Sequence, residues 1–524
     1  MKTQIFIGKN FVVYKNVRNF VTEKKKTQNS KHMAFVPSKY QKAVYTYIQM
    51  GKGNALINAV AGSGKSTTIV NALKIIPAEK QILFLAFNTS IVQELKIKIG
   101  NLPNVDVRTL HSLGCKALMK TYHCQVDENK YTAWLNNGIQ TRFIAPTHEL
   151  SDEDKGTWKS NISKLLDLAR VNLVNHADAL EELAYKHDII IVDNEIDVTL
   201  KGISWGQSET SVIDYTDMIY LPVVKRLRMY QFDWVFIDEC QDLNAAQRNL
   251  FLRCVKPTGR FVAVGDPRQA IYGFAGADVE SFNLLGTIPH TVKLPLSVCY
   301  RCDADIISLA KELVPQIEAR DNAPAGIVSN NSVIADVKDG DMVLCRVTAP
   351  LVSLCMRYIA QGVKAYVKGR DIGKNLINLI KKTNKKKMAD VMEKLKRELG
   401  RIIGKVVAKT HCTEQEARES EAYRSYEDKL KVIEILSEGL DNAQDVMDRI
   451  DMIFSDDSKN GICLSTVHKS KGLESDRVFI LCPDKFYLKA CMRVPWMAEQ
   501  ERNLVYVAYT RAKHFLGFIT DFTA

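Results

Sequence analysis

Short apolar segments, each followed by a longer segment with a helical pattern, recur along most of this 524-residue chain. Seven of the apolar segments are rich in β-forming residues and are predicted strands: Ala55–Val60, Gln81–Phe87, Trp234–Ile237, Phe261–Val264, Met342–Cys345, Ile462–Thr466 and Val478–Cys482. Strands that alternate with helices at this spacing are typical of parallel sheets joined by crossover helices. The pattern therefore predicts an α/β protein.

Two regions interrupt this alternation, and the length of the chain is enough for about two to four domains. Residues 121–212 are polar and mainly helical in pattern, and residues 376–455 are strongly charged. We interpret both as helical insertions in an α/β framework. The predicted division is an N-terminal arm at 1–33, a first α/β domain at 34–120 and 213–296 interrupted by 121–212, and a second at 297–375 and 456–524 interrupted by 376–455.

Composition narrows the class of protein only slightly. No uninterrupted apolar stretch reaches the roughly 18 residues of a membrane span, so no membrane partner is expected. The net charge of +12 fits a polyanionic partner, although many enzymes that never touch nucleic acid carry a similar excess. The 12 cysteines are scattered and indicate reduced thiols of an intracellular protein; Cys299 and Cys302 have no second pair nearby, which favours a structural role over a zinc site.

A glycine-rich segment between a predicted strand and a predicted helix has the features of a phosphate-binding loop. It reads Ala61-Gly62-Ser63-Gly64-Lys65-Ser66-Thr67. The two glycines allow backbone N–H groups to point at phosphate oxygens, Lys65 can reach the β- and γ-phosphates, and the Ser66 hydroxyl can hold Mg²⁺. Ala59 replaces the first glycine of the usual pattern. The alternative, a chance glycine-rich turn, is disfavoured by the flanking strand and helix.

Acidic residues follow the predicted strand that ends at Ile237. Asp238 is expected to help hold Mg²⁺, and Glu239 to polarise the water that attacks the γ-phosphate. The two carboxylates could instead cap the next helix. A phosphate-binding loop in the same chain favours the catalytic interpretation.

The segment Asp238-Glu239-x-Gln241-Asp242 resembles motif II of the UvrD/Rep-type helicases of superfamily 1A. Segments similar to the family's other motifs follow in the family's order. They are Tyr40-Gln41 (Q motif), Phe84–Thr89 (Ia), Thr109–Ser112 (Ib), Asp214–Asp217 (the acidic segment before II), Val264–Phe274 (III), Tyr300-Arg301 (IV), Thr466–Glu474 (V) and Glu501–Ala512 (VI). An ordered set of this kind is far more specific than any single motif.

The resemblance implies two RecA-like parallel-sheet P-loop NTPase domains, each interrupted by a mainly helical insertion, with ATP and Mg²⁺ bound between them. It implies that Arg301 and Arg511 act as arginine fingers, that Gln41 reads adenine and Tyr300 stacks on it, that Gln269 senses the γ-phosphate, and that Glu474 couples motif V to the nucleotide. The expected catalytic set is Lys65, Asp238, Glu239, Gln269, Arg301 and Arg511. The expected ATP-binding set is Gln41, Ala61, Gly62, Ser63, Gly64, Lys65, Ser66, Thr67, Tyr300, Arg301, Glu474 and Arg511, with Ser66 and Asp238 as the metal ligands.

Candidate strand-binding residues follow from the same resemblance. They are Phe87, Asn88, Tyr272 and Phe274 in motifs Ia and III, and Thr109, His111 and His468 at backbone-contacting positions. Aromatic faces and polar donors are what single-stranded binding requires, but core packing and ordinary polar contacts are the alternatives. One departure is Ala275, where the family commonly has an arginine, so Arg301 and Arg511 are expected to be the only arginines on the γ-phosphate.

The function implied is an ATP-dependent DNA helicase that moves 3′ to 5′ on single-stranded DNA. Its expected partners are single strands, single/double-strand junctions and replication or repair proteins. Expected localisation is cytoplasmic in a bacterial or viral protein and nuclear in a eukaryotic one. The alternatives are a translocase that displaces proteins without unwinding, a nucleic-acid-binding ATP switch, and an RNA substrate. The basic run from Lys381 to Lys387 is interpreted either as a contact to duplex phosphates or as a solvated face.

Base stacking by Phe274 predicts a selective defect in the Phe274→Ala variant. Loss of one stacked base costs about 1–3 kcal/mol, so strand-stimulated ATPase activity should fall while basal activity changes little. The measurement is ATP turnover with and without a saturating oligonucleotide. An equal loss of both activities would indicate that the ring packs in the core instead.

Overall fold

Parallel β-strands form the framework of the chain. The structure is a computed structural model that describes residues 36–187, 189–273, 280–410, 412–454, 460–487, 492 and 495–522. The compact unit that carries the fold spans Lys39–Ala524. The predicted arm at 1–33 lies outside the described residues, as does Phe274.

The first half of the unit contains the strands β1 (Asn54–Ala59), β2 (Ile82–Ala86), β3 (Val105–Thr109), β4 (Gln125–Val126), β5 (Val212–Ile213), β6 (Phe232–Ile237), β7 (Val255–Gly265) and β8 (Thr291–Leu296). Its helices are α1 (Lys39–Met50), α2 (Lys65–Leu73), α3 (Thr89–Ile99), α4 (Leu110–Tyr122), α5 (Lys130–Gln140), α6 (Asp152–Asn172), α7 (Ala177–Lys186), α8 (Glu195–Ser208), α9 (Asp217–Val224), α10 (Ala245–Arg253) and α11 (Ser281–Gly286).

Six of these strands form one parallel sheet in the order β3-β2-β6-β7-β1-β8. All five residues of β2 are buried, because helices cover both faces of a parallel sheet and leave no face for polar side chains. The apolar residues on the two faces form separate clusters, one around Phe84 and Phe236 and the other around Val235 and Phe261. This sheet and the helices packed on it are called domain 1.

The second half contains the strands β9 (Val298–Cys299), β10 (Glu318–Ala319), β11 (Ile327–Ser329), β12 (Met342–Cys345), β13 (Ala365–Val367), β14 (Ile462–Thr466), β15 (Ser475–Leu481) and β16 (Ala512–Ile519). Its helices are α12 (Ala304–Lys311), α13 (Ala349–Ala360), α14 (Arg370–Lys382), α15 (Met388–Thr410), α16 (Glu414–Ala417), α17 (Glu421–Ser437), α18 (Ala443–Ile453), α19 (Val467–Ser470) and α20 (Pro495–Tyr509). Six strands form a second parallel sheet in the order β11-β16-β15-β12-β14-β13, which with its helices is called domain 2.

Both regions that interrupt the alternation are mainly helical, which confirms the predicted fold class. Helices α5 to α8 form the first insertion, closed at its base by the two-stranded parallel pair β4–β5. Its core also includes Leu118 and Leu227, which lie on either side of the predicted limits at 121 and 212. Helices α14 to α18 form the second insertion. The domain boundaries themselves stay predictions. Within the described residues, no helix has the length and apolarity required to cross a bilayer.

The two domains share an apolar contact beside the carboxyl ends of their strands. Val60, Ala61 and Ile271 of domain 1 belong to the same buried cluster as Leu504 and Val507 of α20. The insertions also touch, since Lys405 of α15 donates to the Thr157 hydroxyl of α6 at 2.8 Å. The loops that follow the central strands of both sheets are therefore held close together.

A buried charge cluster joins the first insertion to domain 1. Arg170 of α6 pairs with Asp214 at 2.8 Å and with Asp217 at 3.0 Å, and Lys130 of α5 pairs with Asp217 at 2.7 Å. Tyr131 also donates to Asp217, at 3.0 Å. Because buried charges are costly unless fully paired, each member of the cluster depends on the others.

This cluster predicts that Asp217→Asn destabilises the protein by about 3–5 kcal/mol, since it leaves buried cationic groups under-compensated. The matched control is Asp167→Asn, because Asp167 binds the same Arg170 at 2.6 Å but its side chain is 64% exposed, whereas that of Asp217 is 0% exposed. Loss of the exposed pair should cost at most about 1 kcal/mol. The measurement is urea-induced unfolding followed by tryptophan fluorescence. Equal and small losses of unfolding free energy in both variants would contradict the proposed role of the cluster.

Candidate nucleotide-binding cleft and strand interface

A cleft of about 940 Å³ opens between the two domains where the strands of both sheets end. Parallel strands bring their carboxyl ends to one edge, so loops distant in sequence meet there. Domain 1 contributes the loop after β1 and the carboxylates after β6, and domain 2 contributes the segment after β9 and the ends of α19 and α20. The predicted residues that line the cleft are Gly62, Ser63, Gly64, Lys65, Ser66, Thr67, Phe87, Asn88, Asp238, Glu239, Gln269, Tyr272, Tyr300, Arg301, Glu474 and Arg511.

The loop after β1 takes a conformation that glycine permits. Gly62 and Gly64 have φ of 66° and 74°, in the left-handed region, and α2 starts at Lys65. A Cβ atom on Gly62 would lie 2.7 Å from the Cβ of Arg301, and the Gly62 carbonyl accepts from the Tyr300 backbone N–H at 2.8 Å. The loop therefore presents the N-terminus of α2 to the cleft while it contacts domain 2 directly.

Lys65 and Glu239 form an ion pair at 2.9 Å on the wall formed by domain 1. Burial on its own would raise the pKa of Glu239, but Lys65 and Lys471 outweigh it and hold that pKa at about 2. Burial alone would lower the pKa of Lys65, which the carboxylates of Glu239, Asp238 and Asp266 raise instead. At neutral pH the pair is charged, so Glu239 is an acceptor and Lys65 a donor.

The Mg²⁺ ligands expected from the sequence fit what this part of the cleft offers. Burial, followed by repulsion from Glu239, raises the pKa of Asp238 to about 6, so a nearby divalent cation would favour its ionised form. Ser66 also lines the cleft and adds a hydroxyl oxygen. Mg²⁺ prefers oxygen ligands and commonly takes only one or two from the protein, the rest coming from phosphates and water.

Hydrogen bonds fix the orientation of Glu239 and of motif III. The Gln241 amide donates to Glu239 at 2.6 Å, and its carbonyl oxygen accepts from the Asp266 backbone N–H at 3.0 Å. The buried Gln269 side chain donates to Asp266 at 2.7 Å. Tyr506 of α20 accepts from the Ala61 N–H at 2.9 Å and donates to Asp266 at 3.3 Å. The phosphate loop, motif II and motif III thus belong to one network.

The facing wall carries the two predicted arginines. Arg301 binds Glu474 at 2.7 Å and the Thr510 carbonyl at 3.1 Å. Arg511 is buried and donates to the carbonyls of Val507 and Leu473 at 2.9 and 3.0 Å. Burial, followed by repulsion from Arg301, lowers the pKa of Arg511 to about 10, so a bound anion between the two guanidinium groups would be favourable.

Tyr300, which is expected to stack on adenine, lines the cleft next to Gln41, which is expected to read it. Gln41 is buried and donates to the Thr68 hydroxyl at 3.0 Å, while the Tyr300 hydroxyl lies 3.5 Å from the Gln41 amide oxygen. The Tyr300 ring is 40% exposed, so a base has access to it. Arg320 holds this segment in place through the carbonyls of Tyr300 and Cys302, at 3.3 and 3.1 Å.

The strand-binding candidates of motifs Ia and Ib lie side by side, because Ala86 pairs with Thr109 in the sheet. Phe87 is 48% exposed. The Asn88 side chain caps α3 by accepting from the Ile91 N–H at 2.9 Å, and the Thr109 hydroxyl caps α4 by accepting from Ser112 at 3.2 Å. His111 is partly buried, and burial lowers its pKa. Asn88 and Thr109 therefore have a structural task in addition to any contact with a strand.

The remaining candidates, Tyr272 and His468, connect the two domains. The Tyr272 hydroxyl donates to the His468 carbonyl at 3.2 Å. Burial and the nearby cation Arg346 lower the pKa of His468 to about 3, so its imidazole is neutral at physiological pH. A neutral imidazole can offer a single N–H to a phosphate, but it adds no charge.

Several residues of the cleft were missed by sequence reasoning. Gln241 and Tyr506 lie within quoted motifs, but their partners are unknown without the fold. Arg320 lies outside every motif. The expectation that Arg301 and Arg511 are the only arginines on the γ-phosphate stays a prediction. Arg320 also lines the cleft, and Lys471 and Lys513 add further cationic groups. Arg346 forms a buried pair with Glu501 at 2.7 Å behind the wall.

Comparison with protein families agrees with this geometry. Residues 39–287 match the model of the UvrD/REP helicase N-terminal domain, and residues 461–519 match that of the UvrD-like helicase C-terminal domain. Together the two matches cover more than half of the chain. The first match includes the phosphate loop and motifs II and III, and the second includes motifs V and VI.

Individual relatives are named as DNA helicases. The F-box DNA helicase protein 1 of Schizosaccharomyces pombe is 24% identical over 89% of this chain and 55% of its own length. The ATP-dependent DNA helicase PcrA of Staphylococcus epidermidis is 26% identical over 54% of this chain and 41% of its own. The ATP-dependent DNA helicase Rep of Buchnera aphidicola is 24% identical over 53% of this chain and 42% of its own length. The chain therefore spans about half the length of the curated relatives it matches.

The position of Tyr300 predicts that its ring, and not its hydroxyl, binds the base. Tyr300→Ala should raise the dissociation constant for ATP about 5- to 150-fold, which corresponds to the roughly 1–3 kcal/mol of one aromatic–base stack. Tyr300→Phe should change it less than about threefold, because the hydroxyl lies at the 3.5 Å limit from Gln41. The measurement is equilibrium nucleotide binding. Equal weakening in both variants would contradict stacking.

Proposed function

The chain belongs to the UvrD/Rep helicase family, and from this we propose that it hydrolyses ATP to move 3′ to 5′ along single-stranded DNA and to separate duplex strands. One observation carries the proposal. Lys65 and Glu239 of domain 1 line the same cleft as Arg301 and Arg511 of domain 2. A nucleotide bound between these walls contacts both domains, so its binding favours the closed arrangement and its hydrolysis removes that preference.

The ion pair between Lys65 and Glu239 suggests how hydrolysis begins. Phosphate oxygens of incoming ATP compete with the Glu239 carboxylate for the Lys65 ammonium group. Glu239, still held by Gln241, is then available to accept a hydrogen bond from the attacking water. Mg²⁺ held by Ser66 and Asp238 would supply charge neutralisation for the phosphates. Arg301 and Arg511 stabilise the negative charge that develops on the transferred group.

The same contacts give a route from the nucleotide to the strand. Tyr272 lies three residues from Gln269 in motif III and donates to the His468 carbonyl in domain 2. Opening of the cleft must break this bond. We assign to Phe87 and Tyr272, which both line the cleft, the role of contacting bases on domain 1, and these contacts would change as the domains separate.

Strand displacement on duplexes with a 3′ or a 5′ overhang tests the proposal directly, with ATP turnover measured on DNA and RNA side by side. We expect displacement from the 3′ overhang only and stronger stimulation by DNA. ATP turnover with displacement of bound proteins, but without strand separation, would show that the protein is a translocase and not a helicase. Strand binding without stimulated turnover would indicate an ATP switch. Equal stimulation by RNA would overturn the choice of DNA.

Lys65→Ala separates turnover from strand binding. We expect ATP turnover to fall below detection, because the β- and γ-phosphates lose their cationic partner, while affinity for an oligonucleotide is largely kept. The control is Lys396→Ala, since Lys396 is exposed, lies outside the cleft and pairs with Glu434 on the surface of the second insertion. Unchanged turnover in Lys65→Ala would remove the site from this cleft.

A further inference from the structure

Lys471 extends from domain 2 into domain 1 and is the centre of a second set of cross-domain contacts. Its ammonium group donates to the Asp242 carboxylate and, at 2.7 Å, to the Gln269 carbonyl. It also lies 4.9 Å from the centre of the Tyr272 ring. The side chains of Lys471 and Asp242 are only 9% and 4% exposed. A single lysine of motif V thus contacts motif II and motif III.

These contacts continue to Glu239, the carboxylate proposed to act on the attacking water. The Asp242 oxygen that binds Lys471 also accepts from the Gln241 amide at 3.2 Å. The same amide nitrogen donates to Glu239 at 2.6 Å. A continuous series of hydrogen bonds therefore runs from Lys471 through Asp242 and Gln241 to Glu239. The other end of the Gln241 amide is fixed by the Asp266 backbone N–H.

The contribution of Lys471 depends on the cleft being closed, because Lys471 and the other members of the series belong to different domains. When the domains separate, the buried Asp242 carboxylate loses its cationic partner, and the carboxylate that remains is poorly solvated. The Asp242 carboxylate, one of the two acceptors of the Gln241 amide nitrogen, is then no longer held in place by Lys471. The orientation of Glu239 is consequently less restricted in the open state than in the closed state.

We propose that Lys471 is a positioning residue that aligns Glu239 for hydrolysis only when the two domains are closed on the nucleotide. This inference rests on the proposed ATP hydrolysis and adds to it a means by which an open cleft is kept from hydrolysing ATP. Lys471 also lines the cleft, but its hydrogen bonds go to Asp242 and to the Gln269 carbonyl, so its positioning effect on Glu239 passes through Asp242 and Gln241.

The test compares Lys471→Met with Lys471→Arg in the full chain. Removal of the charge at nearly constant length should lower the kcat of strand-stimulated ATP turnover about 10- to 100-fold, by analogy with the loss of a residue that orients a metal ligand through a hydrogen bond. The KM for ATP and the affinity for an oligonucleotide should change less than about threefold. Arginine keeps the charge and should restore a substantial part of kcat. A rise in KM equal to the loss in kcat, or no rescue by arginine, would overturn the proposal.

Lys469→Met is the matched control, because Lys469 lies two residues away in the same motif but is exposed and binds Asp371 on the surface of α14 at 2.6 Å. Its kcat should equal that of the wild-type protein. The pairing is tested by a double-mutant cycle with Asp242→Asn. The double variant should lose kcat by the same factor as Lys471→Met alone. If its kcat instead falls by the product of the two single-variant factors, the two side chains act separately and the proposal is overturned.

Wild-type ATP turnover, measured in the same experiment, distinguishes a failure of the Lys471 proposal from a failure of the proposed function. If the wild-type protein hydrolyses ATP and Lys471→Met does so equally well, the role of Lys471 is refuted and the proposed function stands. If the wild-type protein shows no strand-stimulated turnover, the proposed function itself fails.

Discussion

Opposite charges that face each other across one cleft are the constraint on which the rest of this structure depends. The cationic groups on the wall formed by domain 2 lie near one another and repel each other. Their charges are offset in different ways. Glu474 neutralises Arg301, and Asp242 of the opposite domain neutralises Lys471. Arg511 makes only neutral hydrogen bonds among those described, and its pKa is lowered to about 10 by burial and then by Arg301. The wall is therefore organised to receive a polyanion such as the triphosphate of ATP.

The fold satisfies this constraint through two parallel sheets with the same design. The six-stranded sheets direct the carboxyl ends of their strands to the cleft, so that loops from β1, β6 and β7 form one wall and the segment after β14 contributes to the other. The segment after β9, which pairs only with β10, completes that second wall. The apolar contact of Val60, Ala61 and Ile271 with domain 2 keeps the walls near each other. Because other contacts between the domains, such as Lys471 with Asp242 and Tyr506 with Ala61, are polar, bound nucleotide can influence how far the walls separate.

The fold could be predicted from sequence to the extent that local pattern determines it. The prediction for Met342–Cys345 agrees with β12 residue for residue, and that for Ala55–Val60 agrees with β1 to within one position at each end. The phosphate loop and motif II were recognisable because their chemistry lies in a few consecutive residues. Lys471, Arg320 and Tyr506 were missed because their roles arise from partners far away in the chain; Tyr506 meets Ala61 across 445 positions. Helix caps such as Thr109 carry a double role that a motif cannot reveal.

Closure of the two domains on the nucleotide is the central claim, and an interdomain distance measures it most directly. Spin labels can be introduced at Ile97 of α3 and Ile327 of β11, which are exposed and lie on different domains. Distances are then recorded by pulsed electron paramagnetic resonance, with an oligonucleotide present, in the nucleotide-free, ATP-analogue and ADP states. The account predicts a distribution that is narrower and shorter with the ATP analogue than in the other two states. An identical distribution in all three states, in protein that hydrolyses ATP, would contradict it.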